Sequence, residues 1–285
     1  MLFAHLTVVG IGLIGGSFAL AAKQADLVGQ VTGVARSEAT RQGALEIGAA
    51  DEVTEDLEQA VAQADLVYLA TPVETICAQL RTLGPYLRPG ALVTDAGSAK
   101  AAVMQAAQAL PRRVTFVGGH PMAGSEKTGI AAARPDLFAD SSYFLTPGPK
   151  TPPEPVQQLV ELVRGVGARP LVVEAERHDR LVALTSHLPH LLAWALCATA
   201  GDMEDPEALA PYLGGAWRDV TRIAGSNPEM WSDILRANAG NLAEALHYLS
   251  AELGLATERL KQGDRGPLLA WLQLAHNTHE RIAES

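Results

Sequence analysis

Leu6-Thr7-Val8-Val9-Gly10-Ile11-Gly12-Leu13-Ile14-Gly15-Gly16-Ser17-Phe18-Ala19-Leu20-Ala21-Ala22 stands almost at the start of the chain, and its reading decides the fold. An apolar, β-branched run leads into Gly10-x-Gly12-x-x-Gly15, and a small-residue pattern of helical period follows at once. Strand, turn and helix come in the order in which a glycine-rich turn holds a dinucleotide. Gly10 suits the tight turn, Gly12 admits a pyrophosphate against the backbone, and Gly15 lets the helix lie close to the strand. The free backbone N–H groups at the helix start, Leu13 and Ile14 among them, are donors for the anion. The alternative is a glycine-rich turn with no ligand; the place of the motif in the first βα unit favours the dinucleotide.

Working outward, the 285 residues, 48% hydrophobic and 19% charged, suit two globular domains with ample core. No run of sequence reads as a long uncharged membrane span. The first residues form a strand without a basic leader or cleavage site, so no signal peptide is expected and the setting is cytoplasmic. Cys77 and Cys197 are far apart and fit buried thiols in a reducing compartment better than a disulfide framework or a metal site. The net charge of −10 argues against nucleic acid and anionic membranes as partners. It leaves room for an anionic small molecule, which needs only a local positive site.

Gln30–Ala35 reads as the second strand, ending about 20 residues past the glycines, where a cofactor's adenosine ribose lies. An NAD site usually places Asp or Glu there; this chain has Ala35-Arg36-Ser37. An Arg and a hydroxyl are what a 2′-phosphate needs, so NADP is the expected cofactor, with NAD as the alternative. A solvated surface Arg is the other reading of Arg36. Helical patterns over 38–48 and 56–64 precede the strand Asp65–Ala70, which ends at Thr71-Pro72. A helix over 73–83, the strand Ala91–Asp95, a helix over 99–110 and the strand Val114–Gly119 follow. Further strands are expected within 138–146 and 170–173, with a helix to about 166 between them. This alternation predicts an α/β fold: an N-terminal Rossmann-type, doubly wound parallel sheet.

Three strands thus deliver Thr71, Ser98 and His120 at their carboxyl ends, the edge at which open α/β sheets bind ligands. Each has a plainer alternative: helix caps for Thr71 and Ser98, a hydrogen-bonded structural histidine for His120. Beyond Glu176 only helical patterns recur, so the chain divides into a dinucleotide-binding domain, 1–174, and an all-α domain, 175–285. His187 and His190 are spaced i, i+3 with Pro189 between them as a source of a kink. Without Cys or carboxylate in ligand spacing they do not suggest a metal. Arg218 and Arg222 lie one turn apart, either cleft-facing or solvated. A long helix from Trp231 carries Leu235, Ala239, Leu242, Leu246, Leu249, Leu253, Ala256 and Leu260 as a heptad stripe, either the domain's own core or a subunit interface.

Four segments are specific when taken together: Asp95-Ala96-Gly97-Ser98-Ala99-Lys100, Gly118-Gly119-His120-Pro121-Met122-Ala123-Gly124-Ser125-Glu126, Ser186-His187-Leu188-Pro189-His190 and Asp219-Val220-Thr221-Arg222-Ile223-Ala224. In this order, over nearly the whole chain, they resemble the prephenate/arogenate dehydrogenase family of tyrosine biosynthesis. The resemblance implies oxidative decarboxylation of a cyclohexadienyl substrate with NAD or NADP, in a homodimer. It implies that His120 is the catalytic histidine with Ser98 and Glu126 beside it, that His190 and its neighbour His187 serve the substrate, and that Arg222 grips a substrate carboxylate. Prephenate is the expected substrate and arogenate the alternative. A β-hydroxyacid-type dehydrogenase would normally use a Lys of the helical domain, where only Lys261 is available, far along the long helix. A non-catalytic nucleotide-binding protein would have no need of His120, Ser98 and Arg222 together.

Overall fold

The computed structural model describes residues 1–125 and 127–283. They form two compact units, Met1–Ala239 and Gly240–Ser285. The first is built on an eight-stranded sheet in the order β3-β2-β1-β4-β5-β6-β7-β8. Its strands are β1 (Phe3–Val9), β2 (Val28–Val34), β3 (Glu52–Thr54), β4 (Leu66–Leu69), β5 (Leu92–Asp95), β6 (Thr115–Pro121), β7 (Ser142–Pro147) and β8 (Arg169–Val172). Helices α1 (Leu13–Gln24), α2 (Glu38–Glu46), α3 (Leu57–Val61), α4 (Val73–Thr82), α5 (Ala101–Ala107) and α6 (Pro153–Gly165) alternate with them.

The strands read as continuous apolar runs because both faces are covered. Side-chain direction alternates: Leu6 and Val8 of β1 and Leu66 and Tyr68 of β4 join one core with α1 and α6, where Tyr68 stacks on Phe18 at 3.9 Å. Val9 of β1 and Val67 and Leu69 of β4 join the other, packed with Ile76 and Leu80 of α4 and Val103 of α5.

Two features depart from the expected sheet. The polar, three-residue β3 pairs with β2 at the edge between the two helices that flank it. β7 runs antiparallel to β6, with His120 opposite Phe144, and β8 is parallel to β7. Pairing with β7 carries β6 through His120 and Pro121, past its short pairing with β5 at Leu92 and Val93.

Beyond the sheet, α7 (Ala175–Val182), a π-turn at Ala183–His187 and α8 (Leu188–Met203) follow one another directly. The wide turn lies just before Pro189, which has no N–H to donate to the carbonyl four residues back. The run Ala175–Met203 is long and apolar enough to cross a membrane by length and composition, contrary to the sequence expectation. Its His178, Asp179 and His187 are buried and bonded to Lys100, His120 and Asn238, whereas in α8 the buried residues are Leu188 and Ala193. Then come α9 (Pro206–Leu209), α10 (Gly215–Thr221) and α11 (Pro228–Ala237).

The long helix expected from Trp231 is broken. α11 ends at Ala237, Asn238 adopts φ −119°, ψ 26°, and α12 (Ala239–Gln262) begins afresh. The buried Asn238 amide donates to the Asp179 carbonyl at 2.7 Å, a tertiary bond that replaces helical continuity. In the second unit, α12 and α13 (Arg265–Ala283) turn about Gly263, whose φ is +69°. They meet where Trp271 donates to Glu252 at 2.8 Å and Arg259 covers the Trp271 ring. Of the stripe, Leu242 is buried, whereas Leu246, Leu253 and Leu260 are 38%, 54% and 65% exposed.

Candidate active site

The glycine-rich turn has the form the sequence implies. Gly10 has φ +90°, and a Cβ there would meet the Ala70 carbonyl at 2.7 Å and Thr71 Cγ2 at 2.8 Å, so glycine is required by the fold itself. Gly12 differs: a Cβ would meet nothing within 4 Å. Packing therefore does not demand glycine at Gly12, whereas an anion lying on the helix start does. Gly12 is the N-cap of α1 and supplies no side-chain cap, which leaves the first-turn N–H groups of Leu13 and Ile14 for a ligand. Gly15 packs against the Gly10 carbonyl. Thr71 stands directly over this turn, and its hydroxyl donates to Gln79 at 3.0 Å. Pro72, not Thr71, is the N-cap of α4.

At the end of β2, Arg36 and Ser37 are exposed, and the Ser37 hydroxyl caps α2 by accepting from Thr40 N at 3.4 Å. Arg41 pairs with Glu38 and Glu55 and donates to the Ala35 carbonyl. No carboxylate occupies the last turn of β2 itself.

Around His120 the structure collects a buried polar network on β5, β6 and α7. Asp95, at the end of β5, accepts from Gly97 N (2.8 Å) and Gly119 N (3.0 Å) and pairs with the Lys100 ammonium. Lys100 also donates to the Gly119 carbonyl at 2.7 Å, one residue before His120. Both partners of this ion pair are fully buried. Burial pulls the Lys100 pKa down against the attraction of Asp95. The His120 ring is 8% exposed, and its Nδ1 lies 2.8 Å from His178 Nε2. Burial holds its pKa well below the ordinary value, helped by the charges of His178, Lys100 and His187. Burial thus keeps the His120 ring neutral, with its Nδ1 turned to His178. Ser98 lies in the loop between Gly97 and Lys100, and the N-cap of α5 is Lys100, so Ser98 is not that helix's cap. Glu126, assigned to this neighbourhood by resemblance, lies outside the described residues.

The helical residues reach the same region through continuous contacts. His178 Nδ1 is 2.8 Å from Asp179 Oδ1, and Asn238 bridges the Asp179 carbonyl to His187 Nδ1 at 3.2 Å. His187 meets Trp231 edge-on at 6.0 Å between centroids, and His190 stacks on the opposite arm of the cluster, 3.6 Å from Trp231. His187 is only 1% exposed, and burial lowers its pKa from 6.5 to about 4. The structure therefore seats His187 in the core, in contact with the cluster. His190 is half-buried, with Nδ1 3.0 Å from the Ser186 carbonyl. Burial lowers its pKa, and the nearby Arg222 lowers it further. Arg222 begins the turn Arg222–Gly225, which Trp194 pins by donating to the Ala224 carbonyl at 2.9 Å. Arg222 is exposed, as is Arg218. Among the described residues no group of three or more His, Cys, Asp or Glu stands where it could hold a metal. Cys77 and Cys197 are free thiols, Cys77 buried as expected and Cys197 only half-buried.

Sequence reasoning singled out His120, His187, His190 and Arg222 but missed Lys100, His178, Asp179 and Asn238. A signal for two of these was present. Ala175, His178, Asp179 and Val182 recur at i, i+3, i+4 and i+7, one helical face, and all four are buried.

Comparisons with known proteins agree with this geometry. Residues 18–172 match the family model described as prephenate dehydrogenase, nucleotide-binding domain, and residues 174–274 the one described as prephenate dehydrogenase, dimerization domain. A prephenate dehydrogenase of Bacillus subtilis is 37% identical over 97% of this chain and 76% of that protein. The crystal structure of prephenate dehydrogenase from A. aeolicus, in complex with hydroxyphenyl propionate and NAD+, superposes with a TM-score of 0.90 at 32% identity, covering 98% of each chain. Synechocystis arogenate dehydrogenase superposes at 0.84 with 30% identity, covering 98% of this chain and 99% of that one.

Proposed function

The chain belongs to the prephenate dehydrogenase family, and from that premise we infer that it oxidatively decarboxylates prephenate to 4-hydroxyphenylpyruvate in tyrosine biosynthesis. The observation that carries the reading is a buried, neutral His120 on the sheet edge that also holds the glycine-rich turn. A nicotinamide held at the glycine-rich turn would supply the hydride acceptor for the ring carbon that bears the substrate's hydroxyl. His120 Nε2 accepts the hydroxyl proton as the carbonyl forms, a role worth about 10²–10⁴-fold. Loss of the ring carboxylate as carbon dioxide sends its bonding pair into the ring, and His120 returns its proton to the phenolate oxygen. Protons and charge then balance without an outside acid.

Ser98 orients the reacting hydroxyl or His120, and Glu126 belongs to the same neighbourhood by motif. Arg222 pairs with a substrate carboxylate beside His190 and the Trp231 ring, and His187 backs that wall from the core. Gly10, Gly12, Leu13, Ile14, Gly15 and Thr71 hold the cofactor. NADP is the proposed cofactor because Arg36 and the Ser37 hydroxyl are exposed at the ribose end and no carboxylate ends β2. The functional division is placed at 174/175, with residues 1–174 for the nucleotide and 175–285 for substrate and a homodimer contact. A cytoplasmic setting goes with the two free thiols.

Arogenate is the second reading, favoured by the likeness to the Synechocystis enzyme. Incubation with each substrate and each oxidised cofactor, followed by nicotinamide absorbance and carbon dioxide release, tests both. Prephenate turnover yielding 4-hydroxyphenylpyruvate is expected. A kcat/KM more than tenfold in favour of arogenate overturns the substrate, and no turnover of either overturns the reading.

A further inference from the structure

The buried network contains two ionisable groups that touch neither substrate nor cofactor in the mechanism above, His178 and Asp179. We infer that they form, with His120, a relay that fixes His120 in the Nδ1–H tautomer and so keeps its Nε2 lone pair on the reacting side.

The donors and acceptors fix each proton in turn. Asp179 accepts three hydrogen bonds: Lys100 N to Oδ1 at 2.7 Å, Ala101 N to Oδ2 at 2.9 Å, and His178 Nδ1 to Oδ1 at 2.8 Å. Burial alone would raise the Asp179 pKa, but the His178 ring and the two amides hold it below the ordinary value, so the group is a carboxylate and accepts only. His178 must therefore carry its proton on Nδ1. A neutral imidazole has one donor and one acceptor nitrogen, which makes His178 Nε2 the acceptor. Burial keeps His178 neutral against the pull of Asp179. His120 Nδ1, 2.8 Å away, then has to be the donor, and Nε2 is left as the base. Two rings in series transmit the instruction of one carboxylate to a nitrogen on the far side of the site.

The supports of the relay are themselves fixed. The Asp179 carbonyl accepts from the Asn238 amide, and Phe144 of β7, paired with His120 of β6, packs edge-on to His178 with centroids 4.9 Å apart. His178 and Asp179 act through His120, so they are positioning residues. The inference rests on His120 being the base, and the test separates the two claims.

Two-bond proton–nitrogen spectra of histidine-labelled wild-type protein, with the His120 resonances identified by their loss in His120→Asn, read the tautomers without any turnover. Nδ1–H is expected for both His120 and His178; Nε2–H at either overturns the relay. In Asp179→Leu, His178 Nδ1 loses its acceptor, so neither ring is held in one tautomer. With fold and cofactor affinity checked in the same preparation, kcat should fall by about tenfold or more, part of a general-base contribution of about 10²–10⁴-fold, while the substrate KM changes little. A kcat within threefold of wild type overturns the inference. His178→Gln can accept from His120 and donate to Asp179, so it should retain at least tenfold more kcat than His178→Leu; equal losses point to packing alone and also overturn it. If His120→Asn itself kept its kcat, the base assignment would fall, while the spectra would still decide whether the relay exists.

Discussion

Replacing Lys100 by Met removes one half of the buried ion pair beside His120, with effects on both stability and chemistry. Asp95 would keep its two amide donors, Gly97 and Gly119, but lose the ammonium, and the Gly119 carbonyl would lose a donor. Both side chains are fully buried, so a carboxylate would be left uncompensated in the interior. Breaking such a pair costs about 3–5 kcal/mol. At about 2–4 °C per kcal/mol for a unit of this size, the melting temperature should drop by about 6–20 °C. Adding Asp95→Asn removes the orphaned charge, so the double variant should be more stable than the sum of the two single losses implies, by at least about 1 kcal/mol. The second effect is on chemistry. The Lys100 cation disfavours protonated His120, so removing it raises the His120 pKa. The acid limb of kcat/KM, which reports the free enzyme's base, should move to higher pH. Denaturant melts of the four proteins of the cycle and a pH profile of Lys100→Met check both. Additive stabilities together with an unmoved acid limb would refute the reasoning.

Arg36→Ala should weaken NADP binding and spare NAD, since only NADP carries the 2′-phosphate; titration of both cofactors checks it, and equal losses would remove Arg36 from cofactor choice. Arg222→Ala should raise the KM for prephenate by about tenfold or more, because a charge partner of a bound carboxylate is lost; steady-state kinetics with an unchanged KM would place Arg222 outside the substrate site. Acid should destabilise the fold through His187. Its pKa is about 4 when folded and 6.5 in the ordinary state, so the unfolded chain binds the proton first and stability falls as pH drops from 6.5 towards 4. The loss from this one ring is up to about 3 kcal/mol. Urea unfolding across that range should show it, and a His187→Gln variant should flatten the slope.

The parts of the molecule legible in the sequence were those written in local pattern. The glycine-rich turn, the alternation of apolar strands with helices and the polar residues Thr71 and Ser98 after β4 and β5 follow from short-range chemistry, whereas His120, expected just past its strand, lies within β6. What was not legible depended on tertiary partners. The segment Glu52–Thr54 has no apolar alternation and is a strand only because β2 offers an edge. The direction of β7 is not encoded in its own residues. Asn238 sits in a helical, heptad-spaced stretch and breaks it because its amide has better partners in Asp179 and His187. His178 and Asp179 belong to no motif of the sequence, and their spacing with Ala175 and Val182 marks a buried face without saying that His120 is their neighbour.

The central claim is that His120 moves the proton. Pre-steady-state and steady-state turnover of His120→Asn with prephenate, alongside direct titration of the cofactor, tests it most directly. Near-normal cofactor affinity with kcat lowered by about 100-fold or more is the predicted result. A kcat close to that of the wild type, with the variant folded and the cofactor bound, would contradict it.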